Sequence, residues 1–299
     1  MGVWVRVLGA AAGGGFPQWN CGCPQCRAVR DGSRPCRSHT QSSVAVSADY
    51  RRWFLLNASP DIRAQIESFP ALHPQGVRDS PVQAVLLTDA ELDHTLGLLL
   101  LREAGDLEVH ATEAVHEILS RGTSLLHTLG AYTNVEWRMV STGAEVSLAD
   151  GLSYRAFHVP TNKRARFGTG EREESVVGYR ITDGHTGRVL VYLPGAQELT
   201  ASVLTHLEGC TCLLFDGTCW QDDELVRLGI AAKTSRDMGH LPISGADGSL
   251  KQLAPLPIEH KVYIHINNTN PILFEDAPER RIVEEHGLEV AADGLELEI

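Results

Sequence analysis

The chain has no long apolar run. Segments such as Leu98 to Leu101 fall far short of the roughly 20 residues that cross a bilayer, so membrane insertion is not expected. The N-terminus carries Arg6 among apolar residues and then a glycine and alanine stretch. It lacks the charged segment and apolar core of a secretory leader, which predicts a cytoplasmic protein. Basic residues are also scarce: 26 Lys and Arg against 38 Asp and Glu give a net charge of -12 over 299 residues. A chain so acidic has no evident means of tracking a phosphate backbone, which argues against a nucleic-acid partner. Aromatics make up only 6%, but 43% hydrophobic and 21% charged residues are ordinary for a globular protein. Disordered, collagen-like and coiled-coil readings therefore fall. The early glycines, at 9, 13, 14 and 15, fit neither G-x-G-x-x-G nor a Walker A with its lysine, which sets a phosphate loop aside.

What is present is a succession of short elements. Val3 to Leu8 reads as a strand that runs into a glycine-rich loop, Gly9 to Phe16. Further β-like runs lie at 43–47, 53–57, 83–88, 107–111, 154–159, 176–181, 188–193, 211–216, 261–266 and 288–291. Helical patterns cover 60–67, 94–103, 112–121, 222–228 and 277–286, while 28–40 and 68–80 read as loops. With no linker and no repeat, this predicts one α/β domain over residues 1–299, built on two sheets. Pattern alone does not separate that from a doubly wound sheet.

Seven cysteines is an odd count, and three stand together in Cys21-Gly-Cys-Pro-Gln-Cys26. In a reducing compartment, thiolates at i, i+2 and i+5 on a tight turn suit one Zn²⁺ better than a disulfide framework. A closed structural site needs a fourth ligand from elsewhere, making residues 20–27 a zinc loop. Cys36, Cys210, Cys212 and Cys219 are scattered, and buried structural roles are expected for those on strands. A second concentration of ligand-type side chains is Thr88-Asp-Ala-Glu-Leu-Asp-His94, where a hydrophobic strand meets a helix. His158, Asp216 and His265 then each close a predicted strand, where ligands from a sheet can meet at one edge. For Asp89 and Glu91 the alternative is capping of the helix N-terminus. His39, His110, His127, His185 and His286 read as surface or packing residues.

These residues resemble a known pattern. The metallo-β-lactamase superfamily carries His-x-His-x-Asp-His at this junction, and here Asp89 and Glu91 stand where its two histidines usually are. His240, in Met238-Gly-His-Leu-Pro-Ile-Ser244, is similar to the Gly-His-x-Ser/Thr loop of the phosphodiesterase and tRNA-maturation branches. Within the superfamily the chain most resembles the B proteins of pyrroloquinoline quinone (PQQ) biosynthesis. Five segments carry that likeness: Ala11-Ala-Gly-Gly-Gly-Phe-Pro-Gln-Trp-Asn-Cys21, Asn57-Ala-Ser-Pro-Asp-Ile-Arg63, Leu86-Leu-Thr-Asp-Ala-Glu-Leu-Asp-His-Thr-Leu-Gly97, Leu214-Phe-Asp-Gly-Thr218 and His265-Ile-Asn-Asn-Thr-Asn-Pro271. The resemblance implies an αββα sandwich, two mixed sheets face to face with helices outside.

It also implies a metal site. Of the superfamily's two ligand sets, the one formed by Asp93, His94, Asp216 and His265 is complete. The other would need Asp89, Glu91, His158 and Asp216, and has lost two imidazoles to carboxylates. Two imidazoles with one or two carboxylates and open positions suit non-haem Fe(II) and O₂, whereas zinc is redox-silent. The resemblance points the same way, to an iron-dependent hydroxylase acting on the tyrosine ring of a cross-linked Glu-Tyr intermediate made from the PqqA peptide. Asp89, Glu91 and His158 are then expected to shuttle protons or bind amino groups, and His240 to donate a proton. Lys163, Arg164 and Arg166 are expected to receive substrate carboxylates, unless they form only a solvated turn. Asn268 takes the place of the histidine that completes the zinc shell in phosphodiesterase relatives. A metal-dependent hydrolase, and a carrier that binds PQQ or its precursor for export to the periplasm, remain alternatives; a homodimer is the assembly to test.

Overall fold

In a computed structural model, residues 2–162, 167 and 174–299 are described; Lys163, Arg164 and Arg166 lie outside them. The strands are β1 (Trp4–Gly9), β2 (Ser43–Ser47), β3 (Trp53–Leu56), β4 (Val82–Leu86), β5 (Asp106–Ala111) and β6 (Asn134–Met139), followed by β7 (Glu145–Ser147) and β8 (Leu152–His158). After them come β9 (Val177–Asp183), β10 (Val189–Leu193), β11 (Cys212–Asp216), β12 (His260–Ile264), β13 (Glu289–Val290) and β14 (Glu296–Glu298). One sheet has the order β14-β1-β2-β3-β4-β5-β6 and the other β13-β12-β11-β10-β9-β8-β7. Both are mixed: β3 to β6 are parallel in the first, and β10 to β13 in the second.

Strand periodicity explains the layers. In β10, Leu190 and Tyr192 face the space between the sheets, while Val189, Val191 and Leu193 face the helices, so all five residues are buried. Val5, Val7, Val44, Phe54 and Leu86 meet Tyr154, Tyr179, Ile181, Leu214 and Val262 in the inter-sheet core. Helices Glu113–Glu117 and Leu125–Gly130 cover the outer face of the first sheet, and Ala201–Leu207, Ser249–Leu253 and Pro278–Glu285 that of the second. This is the αββα sandwich. No helix among the described residues is long and apolar enough to cross a membrane.

Several local expectations change. Residues 28–40 do not form a loop throughout: α1 (Pro24–Asp31) begins inside the cysteine cluster. The Cys23 thiol accepts from Cys26 N–H as N-cap, Pro24 stands in the first turn, and Gly32 closes the helix in the left-handed region. The helix expected over 94–103 is instead α2 (Leu92–Thr95) followed by 3₁₀ turns at Leu96–Leu99 and Arg102–Ala104. Gly97 lies so close to the chain that a Cβ there would sit 2.3 Å from Ser59 O. β6, β7 and β14 were not expected; they lie at or near sheet edges, and their exposed polar residues mask the alternation.

The glycine-rich loop joins the two sheets. Ala11 N–H donates to Thr40 O and Ala12 N–H to Ile266 O, both at 2.9 Å. Asp293 fixes the same loop by accepting from Ala10 N–H at 2.9 Å and from Thr40 N–H at 2.7 Å. The loop thus crosses the edge at which β4, β11 and β12 end.

Candidate metal centres

β4 delivers its ligands through a tight turn. Asp89 Oδ1 accepts from Glu91 N–H at 2.9 Å, and Glu91 is the N-cap residue of α2 without a side-chain cap bond. Asp93 and His94 follow in the first turn of α2. From the other sheet, β12 ends at Ile264 and His265 adopts φ of 57°, which lets the chain turn as the imidazole enters the site. Asp93, His94 and His265 then bring one donor atom each within 4.8 Å of one another. His265 Nε2 lies 3.2 Å and His94 Nε2 3.8 Å from Asp93 Oδ2. Cis ligands at about 2.1 Å from a metal stand about 3 Å apart, so a modest closure suffices.

The imidazoles are held from behind. His94 Nδ1 donates to Asp89 at 2.8 Å, which leaves Nε2 as the basic nitrogen. That Nε2 is buried and has no hydrogen-bond partner among the described residues. Thr218 Oγ1 donates to Asp216 Oδ1 at 2.6 Å and accepts from His265 Nδ1 at 2.9 Å, which likewise turns His265 Nε2 toward Asp93. Asp89 therefore acts through His94. Asparagine in place of Asp89 is expected to lower metal affinity about 10- to 100-fold without unfolding the protein. Competition titration with a chelating dye reads this directly, and unchanged affinity would reject the role.

Asp216 belongs to a second group, with His240 and the shared His265. Its Oδ2 accepts from His240 Nδ1 at 2.7 Å and Ala196 N–H at 3.0 Å, while Oδ1 accepts twice from Thr218. Both oxygens are engaged, so in this arrangement Asp216 orients His240. The His240 ring stacks on His265 with centroids 5.2 Å apart. His158, at the exposed end of β8, joins neither group among the described residues.

Thr218, Gly13 and Asn57 were not anticipated as parts of the site. A Cβ on Gly13 would meet Asp93 Oδ2 at 3.1 Å, so the glycine allows the loop to lie against this ligand. Asn57 Oδ1 accepts from Thr88 N–H at 2.9 Å and steadies the turn. Gly13, Asn57 and Thr218 all lie in segments similar to family motifs, the one signal that marked them.

Charge ties the first group together. Burial opposes ionisation of Asp89, but the facing His94 brings its carboxyl down to about 2. Burial likewise lowers His94, yet Asp89 and Asp93 outweigh it and push the imidazole up to about 9. A raised imidazole stabilises the fold fully below its ordinary 6.5 and loses that contribution as pH rises through about 9. Metal-free protein should thus lose about 3 kcal/mol between these limits, visible as a falling melting temperature. Metal binding displaces the same proton, so affinity should rise about tenfold per pH unit over this window. A flat profile in both measurements would reject the coupling.

The cysteines form the other site. Cys21, Cys23 and Cys26 place their sulfurs within 4.8 Å of one another. Asn268 Nδ2 lies 3.2, 3.6 and 3.3 Å from the three sulfurs. A half-turn of the amide exchanges Nδ2 for Oδ1. In a tetrahedron with Zn–S near 2.3 Å and Zn–O near 2.1 Å, the S···O edge is about 3.6 Å. The amide thus stands where a fourth ligand belongs.

Residues 52–266 match the beta-lactamase superfamily domain. Coenzyme PQQ synthesis protein B from Methylococcus capsulatus is 47% identical over 301 residues, covering 98% of this chain and 99% of its own. The protein of that name from Azoarcus is 45% identical over 306 residues, with 99% of each covered. Zn(2+)-bound PqqB from Methylobacterium extorquens, a crystal structure, superposes with a TM-score of 0.91 at 42% identity, covering 99% of this chain and 100% of its own. A diphosphatase of the PhnP family shares the fold at a TM-score of 0.70 and 21% identity, covering 100% of this chain and 98% of its own. Matched along nearly its whole length, the chain belongs to the coenzyme PQQ synthesis protein B family of the beta-lactamase superfamily.

Proposed function

We propose that the protein is an iron-dependent hydroxylase of PQQ biosynthesis, acting on the tyrosine ring of a cross-linked Glu-Tyr precursor derived from PqqA. The observation that carries this reading is the convergence of Asp93, His94 and His265, with the buried His94 Nε2 left unpaired. Two imidazoles and one carboxylate fit iron. When bound there, iron supplies activation of O₂ at its open positions. The chain's own groups do the rest. Asp89 and Thr218 hold the imidazole tautomers, and both imidazoles are buried while Asp93 stays partly exposed. His240, with Nδ1 committed to Asp216, offers Nε2 to hold or move a proton at the substrate's phenolic oxygen. Glu91 and His158 remain candidates for the substrate's amino groups. Lys163, Arg164 and Arg166 remain candidates for its carboxylates. Zinc belongs, in this reading, to Cys21, Cys23, Cys26 and Asn268.

The test is anaerobic reconstitution with Fe(II), addition of a Glu-Tyr-type substrate and O₂, and mass spectrometry of the product. Gain of oxygen is expected. Cleavage would identify a hydrolase, and unchanged ligand retained on the protein a carrier; either outcome rejects the hydroxylase.

A further inference from the structure

Behind the metal centre, three tyrosines run through the core between the sheets. The hydroxyl of buried Tyr192 meets Asn57 Nδ2 and Ser42 Oγ, each at 3.3 Å. Asn57 Nδ2 also lies 3.0 Å from Thr88 Oγ1, and Thr88 Oγ1 donates to Asp89 at 2.9 Å. Asp89 is the group that holds His94. Across the β9–β10 pairing, Tyr192 stands directly opposite Tyr179, which sets their Cβ atoms about 5 Å apart. The Tyr179 and Tyr154 rings meet edge to face with centroids 5.4 Å apart. Tyr154 ends the row against an imidazole, its hydroxyl 2.7 Å from His110 Nδ1. His110 Nε2 lies 2.7 Å from Glu108 Oε1, and the Glu108 side chain reaches the surface at 32% exposure beside Arg138.

A phenylalanine would fill the volume at Tyr154 equally well. What the hydroxyl adds is a proton donor aligned on a base. Glu108 accepts the Nε2 proton of His110, which leaves Nδ1 to receive the phenolic hydrogen. Burial lifts the Tyr154 phenol above its ordinary range and lowers His110, so the resting pair is neutral and the proton does not transfer spontaneously.

We propose that Tyr154 and His110 form a proton-coupled redox site that drains oxidising equivalents from the metal centre when O₂ reacts there without substrate. This rests on the oxygen-activating reading above. One electron leaves Tyr154 by way of Tyr179 and Tyr192 and reduces a one-electron oxidant of the class that iron and O₂ generate. The Tyr154 O–H bond breaks as an N–H bond forms at His110 Nδ1. The products are a neutral phenoxyl radical and an imidazolium paired with Glu108. A small reductant of the ascorbate or thiol class, arriving at the Glu108 side, returns the electron, and His110 returns the proton.

The experiment places a spectroscopic label on the residue by Tyr154→difluorotyrosine substitution, which preserves shape and hydroxyl. In the first arm, metal-free protein is oxidised by flash-generated ruthenium(III) tris-bipyridine and frozen. Fluorine hyperfine coupling in the radical's electron paramagnetic resonance spectrum is expected, and its loss on further His110→Gln substitution. A radical without fluorine coupling overturns the site. In the second arm, Fe(II)-loaded, substrate-free protein is exposed to O₂ while oxygen uptake is recorded. The same coupled radical is expected; uptake without it overturns the drain. No uptake at all rejects the oxygen-activating reading instead, while the first arm still decides on Tyr154. Tyr154→Phe should keep the initial hydroxylation rate but inactivate after severalfold fewer turnovers; undiminished endurance also overturns the drain.

Discussion

Alanine in place of His94 is expected to abolish the proposed ring hydroxylation and weaken Fe(II) binding by more than about 100-fold, beyond what loss of an outer partner costs. His94 supplies one of the three converging donors, and its Nε2 is the donor that nothing in the fold satisfies. Removing it also strips Asp89 of the charge that keeps its buried carboxyl ionised. The variant should therefore hold a proton at Asp89 to higher pH than the wild type and lose stability by a few kcal/mol. Asp89 retains its bonds from Thr88 and Glu91 N–H, so the turn itself should persist. Calorimetric titration with Fe(II) under argon, beside circular dichroism to confirm the fold, checks the result. His265→Ala is expected to match it in metal binding. Full activity in either variant would end the assignment of this centre.

The candidate ligands of that centre were visible in the sequence because a metal would demand particular side chains at strand ends. Asp93, His94 and His265 are visible as residue types at the ends of hydrophobic runs. So is the cysteine cluster, whose chemistry is local in the chain. The residues that orient these ligands were not visible, since their role exists only across the fold. Thr218 serves three partners, Asp216, His240 and His265, that span residues 216 to 265. Asn57 reaches Thr88 from another strand. Neither threonine nor asparagine announces such a role by type. Asp89 shows the converse: its chemistry was evident, but only burial and the 2.8 Å contact place it behind His94. The two sheets followed from alternating and doubly buried strands such as β10. The edge strands and short helices escaped because few of their residues enter the core. α1 was hidden by its cysteines, which read as ligands on a turn while one of them also caps a helix.

Cys26→Ala is expected to abolish zinc binding at the proposed cysteine site and cost several kcal/mol of stability, because a metal there would close a link between distant parts of the chain. Cys26 is fully buried, and the three sulfurs face Asn268, three residues beyond His265. The same junction carries Gln25 Nε2 donating to Thr269 O at 2.7 Å. Burial, reinforced by the neighbouring thiols, pushes Cys23 up to about 12, so zinc must displace protons and should bind more tightly as pH rises. Without zinc, this pocket keeps a cluster of buried thiols around an amide, and α1 is held to the chain after β12 only by hydrogen bonds such as that of Gln25. The expected readouts are one zinc fewer per chain by elemental analysis, a lower melting temperature, and weaker iron binding because His265 is less firmly held. Asn268→Ala should follow the same direction with a smaller loss, about 10- to 100-fold in zinc affinity, if a water replaces the amide oxygen. Wild-type zinc content after Cys26→Ala would place the zinc elsewhere. Zinc loss with undisturbed iron binding would show that the cysteine loop supports the fold but not the neighbouring centre.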